Sequence, residues 1–464
     1  MTEKRIRTES DSMGPVEIPE EAYWGAQAQR AATNFNVSPL RIPLPFLRAL
    51  ASIKRAAART NRELGQLDAK IAGGIERAAS EIVEGKWNDQ FPIDVFQTGS
   101  GTSWNMNINE VVANRANELL GGQRGSRSPV HPNDHVNKGQ SSNDTIPTAM
   151  NLAARVEAAR LVAALGQLES GLAAKAEEFD AVLKLGRTHL QDAVPMTLGQ
   201  EFAGYREQIR KCRGRIERTF PSLEELALGG TALGTGINAD PEYAPRTIKA
   251  LAAEYGIPFR RADNYFEAMG ARDSILELAG ALNTLAVALM KIAQDLRLLS
   301  SGPRSGIGEI QLPPLQPGSS IMPGKINPVI PEMMIQVAAH VMGKHLSITI
   351  ACQNAPLELN MMQPLLAHEI SSALELLTNA VKAFDERCVR GITAEVAHCR
   401  ELIDWSLALV TPLALKVGYD RAAKIAYRAY KERKKVRDVV LEEGILTRAE
   451  ADEILDPESM LGRT

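Results

Sequence analysis

The sequence predicts an all-α protein whose centre is a bundle of long helices. Between residues 274 and 300, large apolar residues recur at alternating spacings of four and three, which is a heptad seam. A second long segment, from 146 to 179, carries its leucines on one stripe, and strand signals are few and short. The length of 464 residues suggests about three domains or one elongated helical body. The seam residues are Leu278, Leu282, Leu285, Leu289, Ile292, Leu296 and Leu299.

The seam helix is apolar on nearly every side. Alanines occupy much of its remaining surface, for example Ala279, Ala286 and Ala293. A helix of this kind must be buried all round. One chain offers few helices to surround it, whereas several copies packed together can do so. The sequence therefore predicts a helical bundle shared between subunits.

The other elements follow from apolar periodicity in chain order. The first 43 residues are mixed and rich in loop signals, and a break covers Gly122–Asp134. From Tyr419 the chain is more charged and has shorter helices, as expected of a small separate domain. Helices are predicted from Leu44 onwards, at Ala69–Gly85, Ile146–Phe179, Ser274–Ser300, Glu332–Ile350, Pro364–Arg390 and Val396–Leu413. We divide the chain into an N-terminal mainly helical domain (1–139), a central long-helix bundle (140–395) and a small C-terminal helical domain (396–464).

Composition and charge narrow the class of partner. The net charge is −3 and aromatic residues make up 5%, which predicts neither nucleic acid nor a membrane surface as partner. Four scattered cysteines without metal-ligand spacing predict no metal site and fit buried thiols in a reducing compartment. We expect no window apolar enough to span a bilayer. Acidic residues near the N-terminus argue against a transit peptide, so a cytoplasmic location is predicted.

Five polar segments interrupt the apolar pattern, and we expect each at the end of a long helix. Singly, each has an ordinary explanation: QSSND as a helix cap, HPND as a turn, and His189 as a packing histidine. Together they offer neutral donors, one lysine and one histidine, without triad or metal-ligand spacing. These side chains are suited to binding a small dicarboxylate and to transferring protons to and from it. The segments are QTGSGTSWNMNINE (97–110), HPNDHVNKGQSSNDTIPT (131–148), GRTHLQDAVPMTLGQE (186–201), GGTALGTGIN (229–238) and GSSIMPGKINP (318–328).

The last of these segments is the most informative. Gly318 and Gly324 permit backbone shapes that other residues avoid, and the prolines prevent regular structure. What remains is a shaped loop with backbone N–H groups, the charge of Lys325 and the amide of Asn327. Such a loop favours an anion, above all a carboxylate.

GSSIMPGKIN resembles the signature loop of the fumarase/aspartase superfamily, and the resemblance extends over essentially the whole chain. Within the superfamily the chain is most similar to the class II, iron-independent fumarases. This implies reversible hydration of fumarate to (S)-malate, with proton abstraction at C3 through an aci-carboxylate intermediate and no metal or cofactor. It also implies an elongated three-domain subunit and a homotetramer whose active sites are shared by three subunits.

The resemblance also implies roles for individual residues. Ser319 matches the general base, His189 the histidine of the second half of the site, and Glu332 its acidic partner. The family's substrate-binding positions correspond in this chain to Ser100, Thr102, Ser141, Ser142, Asn143, Thr188, Ser320, Lys325 and Asn327. A peripheral second dicarboxylate site matches His131, Asn133 and Asp134. The chain departs from the family pattern at Ser128 and Pro129, before that histidine, and at Trp104, Lys344 and His345.

Two alternatives stand beside this interpretation. The first is aspartate ammonia-lyase, which runs the same elimination but releases ammonia; TGSGT, QSSND and LGGTALGTG resemble the fumarase forms of these segments instead. The second is a non-catalytic structural homologue of the crystallin kind. Such a chain could lose Ser319, His189 or Lys325 without penalty, yet all three are present.

Overall fold

The computed structural model describes residues 5–461 and confirms the all-α class. The helices predicted from Leu44 to Arg390 are all present, with ends shifted by a few residues. The helices are α1 (Ala26–Asn34), α2 (Leu44–Glu63), α3 (Ala69–Val83), α4 (Thr102–Leu119), α5 (Ser142–Glu178), α6 (Leu198–Glu217), α7 (Phe220–Leu223), α8 (Tyr243–Tyr255), α9 (Tyr265–Gly270), α10 (Asp273–Leu299), α11 (Val329–Gln353), α12 (Gln363–Arg387), α13 (Val396–Trp405), α14 (Val410–Val417), α15 (Tyr419–Glu432), α16 (Val436–Glu442) and α17 (Arg448–Ile454).

Short strands form two-stranded pairs within the described residues. The first two pairs and the last are antiparallel, and the third is parallel. The strands are β1 (Ile6–Asp11) with β2 (Gly14–Pro19), β3 (Leu183–Thr188) with β4 (Gln191–Thr197), β5 (Glu225–Leu226) with β6 (Arg260–Arg261), and β7 (Ile310–Gln311) with β8 (Thr393–Ala394).

The chain folds into two compact units, each assembled from separate stretches of sequence. The first unit holds residues up to 162, 214–284 and 340–377, and the second holds 163–213, 285–339 and 378 onwards. The predicted three-part division along the sequence stays a prediction.

Three local predictions are wrong. Residues 6–19 form the β1–β2 hairpin, where loop was expected, and Asp11 accepts a hydrogen bond from Met13 N in its turn. The helix predicted over Val396–Leu413 is two helices, because the buried Ser406 is extended and its hydroxyl caps the next turn at Ala408 N. The expectation that every polar segment lies at an end of a long helix fails for 229–238, which lies between β5 and the 13-residue α8. The segment 186–201 forms the β3–β4 hairpin and the first turn of α6.

Helix α10 also corrects the expectation that no window is apolar enough to span a bilayer. By length and composition alone, Asp273–Leu299 qualifies as a membrane span. However, 56% of its apolar window is already buried inside the chain, as in core helices of soluble proteins.

Trp104 on α4 belongs to the core of the first unit. Its side chain is fully buried, its ring centroid lies 5.5 Å from that of Phe46, and its Nε1 donates to Ile93 O at 3.4 Å. The large residue at this position, which departs from the family pattern, therefore fills space between α2 and α4.

We expect Trp104→Ala to lower the free energy of unfolding by about 3–5 kcal/mol, because the indole leaves a cavity that its neighbours cannot close. Trp405→Ala is the matched control: its ring is half exposed, and we expect a loss of roughly 1 kcal/mol or less. Denaturant unfolding at one fixed protein concentration compares them. Equal losses in the two variants would show that Trp104 is not a core anchor.

Candidate active site

The first unit gathers three of the five polar segments around the start of α5. The carboxylate of Asp144 accepts hydrogen bonds from Ser141 N at 2.9 Å, Gly229 N at 3.1 Å and Thr231 N at 3.0 Å. Burial raises the pKa of Asp144 to about 6, while the three N–H donors act in the opposite direction. The 229–238 turn, in which Gly229 has a φ of 104°, thus lies against QSSND.

The TGSGT segment joins this group through α4. Gly101 precedes the helix with a φ of 75°, and the hydroxyls of Ser100 and Thr102 lie 2.9 Å apart. One turn into α4, Asn105 Nδ2 donates to Ser142 Oγ at 3.1 Å. Asn143 Nδ2 in turn donates to a backbone carbonyl of the 229–238 turn, Ala232 O, at 2.7 Å. Ser100, Thr102, Ser141, Ser142 and Asn143 therefore lie on neighbouring elements of one unit.

A lysine that the sequence analysis did not select lies behind these residues. Lys54 of α2 is fully buried, and its ammonium donates to Asn105 Oδ1 at 2.7 Å, Asn137 Oδ1 at 3.1 Å and Gln140 Oε1 at 2.9 Å. Burial lowers its pKa to about 7, opposed by the charge of Asp144. A signal was available in the sequence, because Lys54 continues the apolar face that carries Leu47 and Leu50. A lysine on such a face needs buried partners.

The residues of the predicted second site form a capped turn in the first unit. His131 Nδ1 accepts hydrogen bonds from Asn133 N and Asp134 N, both at 3.2 Å, and lies 3.3 Å from Asp134 Oδ2. Asn133 and Asp134 are exposed. These contacts match the turn that HPND alone suggests, and a ligand-binding role stays a prediction.

In the second unit, His189 lies at the tip of the β3–β4 hairpin. Thr188 ends β3, and His189 and Leu190 form the two-residue turn with φ values of 56° and 59°. Two positive φ angles in a hairpin turn are the pattern that Asn-Gly favours, so a His-Leu pair there is strained. All three side chains are exposed. The hairpin therefore presents the imidazole outward at a conformational cost.

The base of this hairpin is firmly held. Glu309 is fully buried, and its carboxylate pairs with Arg187 Nη1 at 3.0 Å and Lys184 Nζ at 3.2 Å. Leu185, between the two cations, packs in the apolar core of the C-terminal helices with Ile403. The exposed turn of the hairpin is therefore held in place by buried ion pairs and apolar packing at the base of the strands.

The signature loop, also in the second unit, is closed on itself. Gly318 N donates to Lys325 O at 2.7 Å, and Asn327 Nδ2 donates to Gly318 O at 2.5 Å. A Cβ on Gly318 would lie 2.6 Å from Lys325 O, so only glycine fits there. The loop borders a cavity of about 420 Å³ that includes Ser319, Gly324 and Lys325 in its lining.

Ser319 occupies a distinctive position in this loop. Its Oγ accepts hydrogen bonds from Ile321 N at 3.2 Å and Met322 N at 2.9 Å. Because N–H donors favour the charged form of an acceptor, this geometry lowers the cost of negative charge on Oγ. Ser320, the next residue in the chain, and Lys325, which lines the same cavity, are exposed.

Glu332 lies in the first turn of α11, where the helix dipole favours a carboxylate. Within the described part of the second unit, no hydrogen bond or ion pair joins its side chain to His189. Over residues 5–461, no group of three or more His, Cys, Asp or Glu side chains is arranged to hold a metal ion. Burial raises the pKa of the Cys388 and Cys399 thiols to about 12, as for inert core cysteines.

Lys344, another of the departures from the family pattern, has a structural partner. Its nearly buried ammonium pairs with Glu369 Oε2 at 2.7 Å and so links α11 to α12 within the first unit. Nothing in the structure explains the neighbouring His345.

Comparisons with known proteins identify the family of the chain. The lyase family model matches residues 14–343, and the fumarase C C-terminus model matches residues 409–462. The class II fumarate hydratase of Methylorubrum extorquens is 50% identical over 98% of this chain and 97% of its own length. The class II fumarase structure from Schistosoma mansoni has a TM-score of 0.94 at 42% identity, covering 98% and 99% of the two chains. A cobalt-bound structure from Brucella melitensis, described as fumarate lyase:delta crystallin, has the same TM-score at 46% identity over 98% and 99%.

Proposed function

The chain belongs to the class II fumarate hydratases of the lyase family, and on that premise we propose how its residues interconvert fumarate and (S)-malate. The observation that carries the proposal is the geometry of Ser319. Its Oγ accepts two backbone N–H bonds in a closed loop, and Lys325 lines the same cavity. This combination suits an oxygen that must take a proton.

Ser319 removes the C3 proton of malate. That hydrogen is a very weak acid, and its removal becomes feasible when the adjacent carboxylate takes up the charge as an aci-carboxylate. Fixed donors and a cation stabilise such charge best, and one donor contributes about 3 kcal/mol. Lys325 supplies the cation. Asn327 has its amide nitrogen engaged with Gly318 O, so its Oδ1 is the atom that orients a substrate hydroxyl or water.

His189 handles the second proton, that of the hydroxyl that leaves as water. An imidazole has one ring nitrogen that can accept a proton and one that can donate it, and so serves both directions of the reaction. Its strained position at the hairpin tip places it in solvent unless another surface covers it. Glu332 orients this imidazole or a bound water. Ser100, Thr102, Ser141, Ser142, Asn143, Thr188 and Ser320 hold the two carboxylates.

We further propose that three chains of a homotetramer contribute to each site. Large apolar side chains remain exposed on the long helices, among them Val287 at 53% and Leu346 at 61%. The signature loop exposes Ile321 at 84% and the hairpin exposes Leu190 at 69%. Apolar patches of this kind mark association surfaces. The lack of a bond between His189 and Glu332 in one described chain agrees with partners from different chains.

Mixing two inactive variants tests the shared site. Subunits carrying Ser319→Ala and subunits carrying His189→Asn should be inactive alone, yet regain activity when unfolded and refolded together, because mixed tetramers contain sites with both groups intact. Fumarate absorbance measures recovery, and separately refolded samples are the control. No recovery in proven mixed tetramers, or a monomer in sedimentation, would refute shared sites.

The function itself is tested by ultraviolet absorbance after malate is added to the purified protein. Fumarate should form, and should disappear in the reverse reaction. A protein that folds and assembles but leaves malate unchanged would instead be the non-catalytic, crystallin-like alternative. The cytoplasmic location and the second dicarboxylate site remain predictions.

A further inference from the structure

We propose that Lys54 is a positioning residue that sets the hydrogen-bond direction of Ser142 and makes its hydroxyl a donor to the substrate carboxylate. Asn105 transmits the effect. This inference rests on the proposed function, because it takes Ser142 as a substrate contact. It adds a lysine and an asparagine that lie outside the set of predicted site residues.

The chemistry of the groups fixes the direction of each bond. The three neighbours of Lys54 Nζ are all side-chain oxygens, so the nitrogen donates three hydrogen bonds as an ammonium and accepts none. Lys54 Nζ lies 2.7 Å from the side chain of Asn105, so the amide must turn its oxygen towards the lysine. The amide nitrogen then points the other way, where it donates to Ser142 Oγ at 3.1 Å. Since Ser142 Oγ accepts from Asn105, its own hydrogen is directed elsewhere.

Burial stabilises this set of hydrogen bonds. Lys54 is 0% exposed and Asn105 is 1% exposed, so water does not compete for these bonds. Asn137 Oδ1 and Gln140 Oε1 complete the three acceptors of the ammonium. A chain of bonds that all run the same way is mutually strengthening in a low-dielectric interior. A buried cation therefore lies at one end of the chain, and a hydroxyl ready to donate to an anion lies at the other.

Asn105→Asp is the decisive substitution. A carboxylate retains the contact with Lys54, but offers Ser142 an acceptor where the amide offered a donor. The serine hydrogen then turns inward and is lost to the substrate. We expect the KM for malate and the inhibition constant of succinate to rise at least about tenfold, with a smaller change in kcat, because bonds to charged groups are the stronger ones.

Asn109→Asp is the matched control. The amide nitrogens of Asn105 and Asn109 both donate to Asn137 Oδ1 at 3.2 Å, so each substitution creates the same clash there. Asn109 is equally buried and lies one turn further along α4, but it does not bond Ser142. Melting temperatures should fall in both variants, whereas KM should rise only for Asn105→Asp.

A double-mutant cycle with Ser142→Ala completes the test. Ser142→Ala alone should raise KM to a similar extent, and adding Asn105→Asp should then raise it no further. Should Asn105→Asp not fold, Lys54→Met replaces it in the same cycle with the same expectation. The inference would be overturned if the KM increases of the two single variants multiplied in the double variant. Equal KM values for the Asn105 and Asn109 variants would also overturn it. A wild-type protein that forms no fumarate from malate would instead overturn the proposed function.

Discussion

Ser319→Ala is expected to reduce kcat for malate dehydration by about 10²–10⁴, the usual scale for a positioned acid or base. The substitution removes the oxygen that accepts from Ile321 N and Met322 N, and with it the only predicted base of the signature loop. Stability should barely change, because Ile321 is 84% exposed and water can bond the two N–H groups. Initial rates, melting temperature and sedimentation measure the three quantities.

Ser320→Ala is the internal comparison for this experiment. Ser320 is the adjacent serine of the same loop and is exposed, but it is assigned to substrate binding. Its loss should therefore raise KM more than it lowers kcat. Near-normal kcat in Ser319→Ala, or equal kcat losses in the two variants, would remove Ser319 from the role of base.

The helical part of the fold was predictable because its signals are long and repeated. The seam from Leu278 to Leu299 specifies α10 almost residue by residue. The β1–β2 hairpin was missed because buried charge, not apolar alternation, holds it: Arg7 pairs with Glu9 at 2.7 Å and also donates to Pro19 O. The β3–β4 hairpin was missed because its His-Leu turn lacks the Asn-Gly signal.

The residues of the candidate site were predictable from motifs, but their environment was not. The sequence placed Ser319 and Lys325 in one loop, but only the three-dimensional structure shows which N–H groups donate hydrogen bonds to Ser319 Oγ. Lys54 was overlooked because a single lysine in a helix usually lies on a solvated face. Its role becomes visible only when Asn105 and Ser142 are found beside it.

Selection of malate over aspartate is the second large effect that we expect. The rate with malate should exceed the rate with aspartate by at least about 10³, which corresponds to about 4 kcal/mol in activation free energy. The two substrates differ at one group, a hydroxyl in malate and an ammonium in aspartate. An ammonium can only donate hydrogen bonds, and a carboxylate is its strongest partner. Asp144, the carboxylate in the QSSND segment, is buried and accepts three backbone N–H bonds. The predicted contacts around it are neutral, so a site built in this way leaves the ammonium poorly matched.

The most direct measurement is a pair of initial rates from one enzyme preparation, with (S)-malate and with aspartate at matched concentrations. Fumarate absorbance follows both reactions, and released ammonia is assayed in the second. We predict rapid fumarate formation from malate and a rate from aspartate lower by at least about 10³. Ammonia release from aspartate that is faster than water loss from malate would contradict the account and identify an aspartate ammonia-lyase.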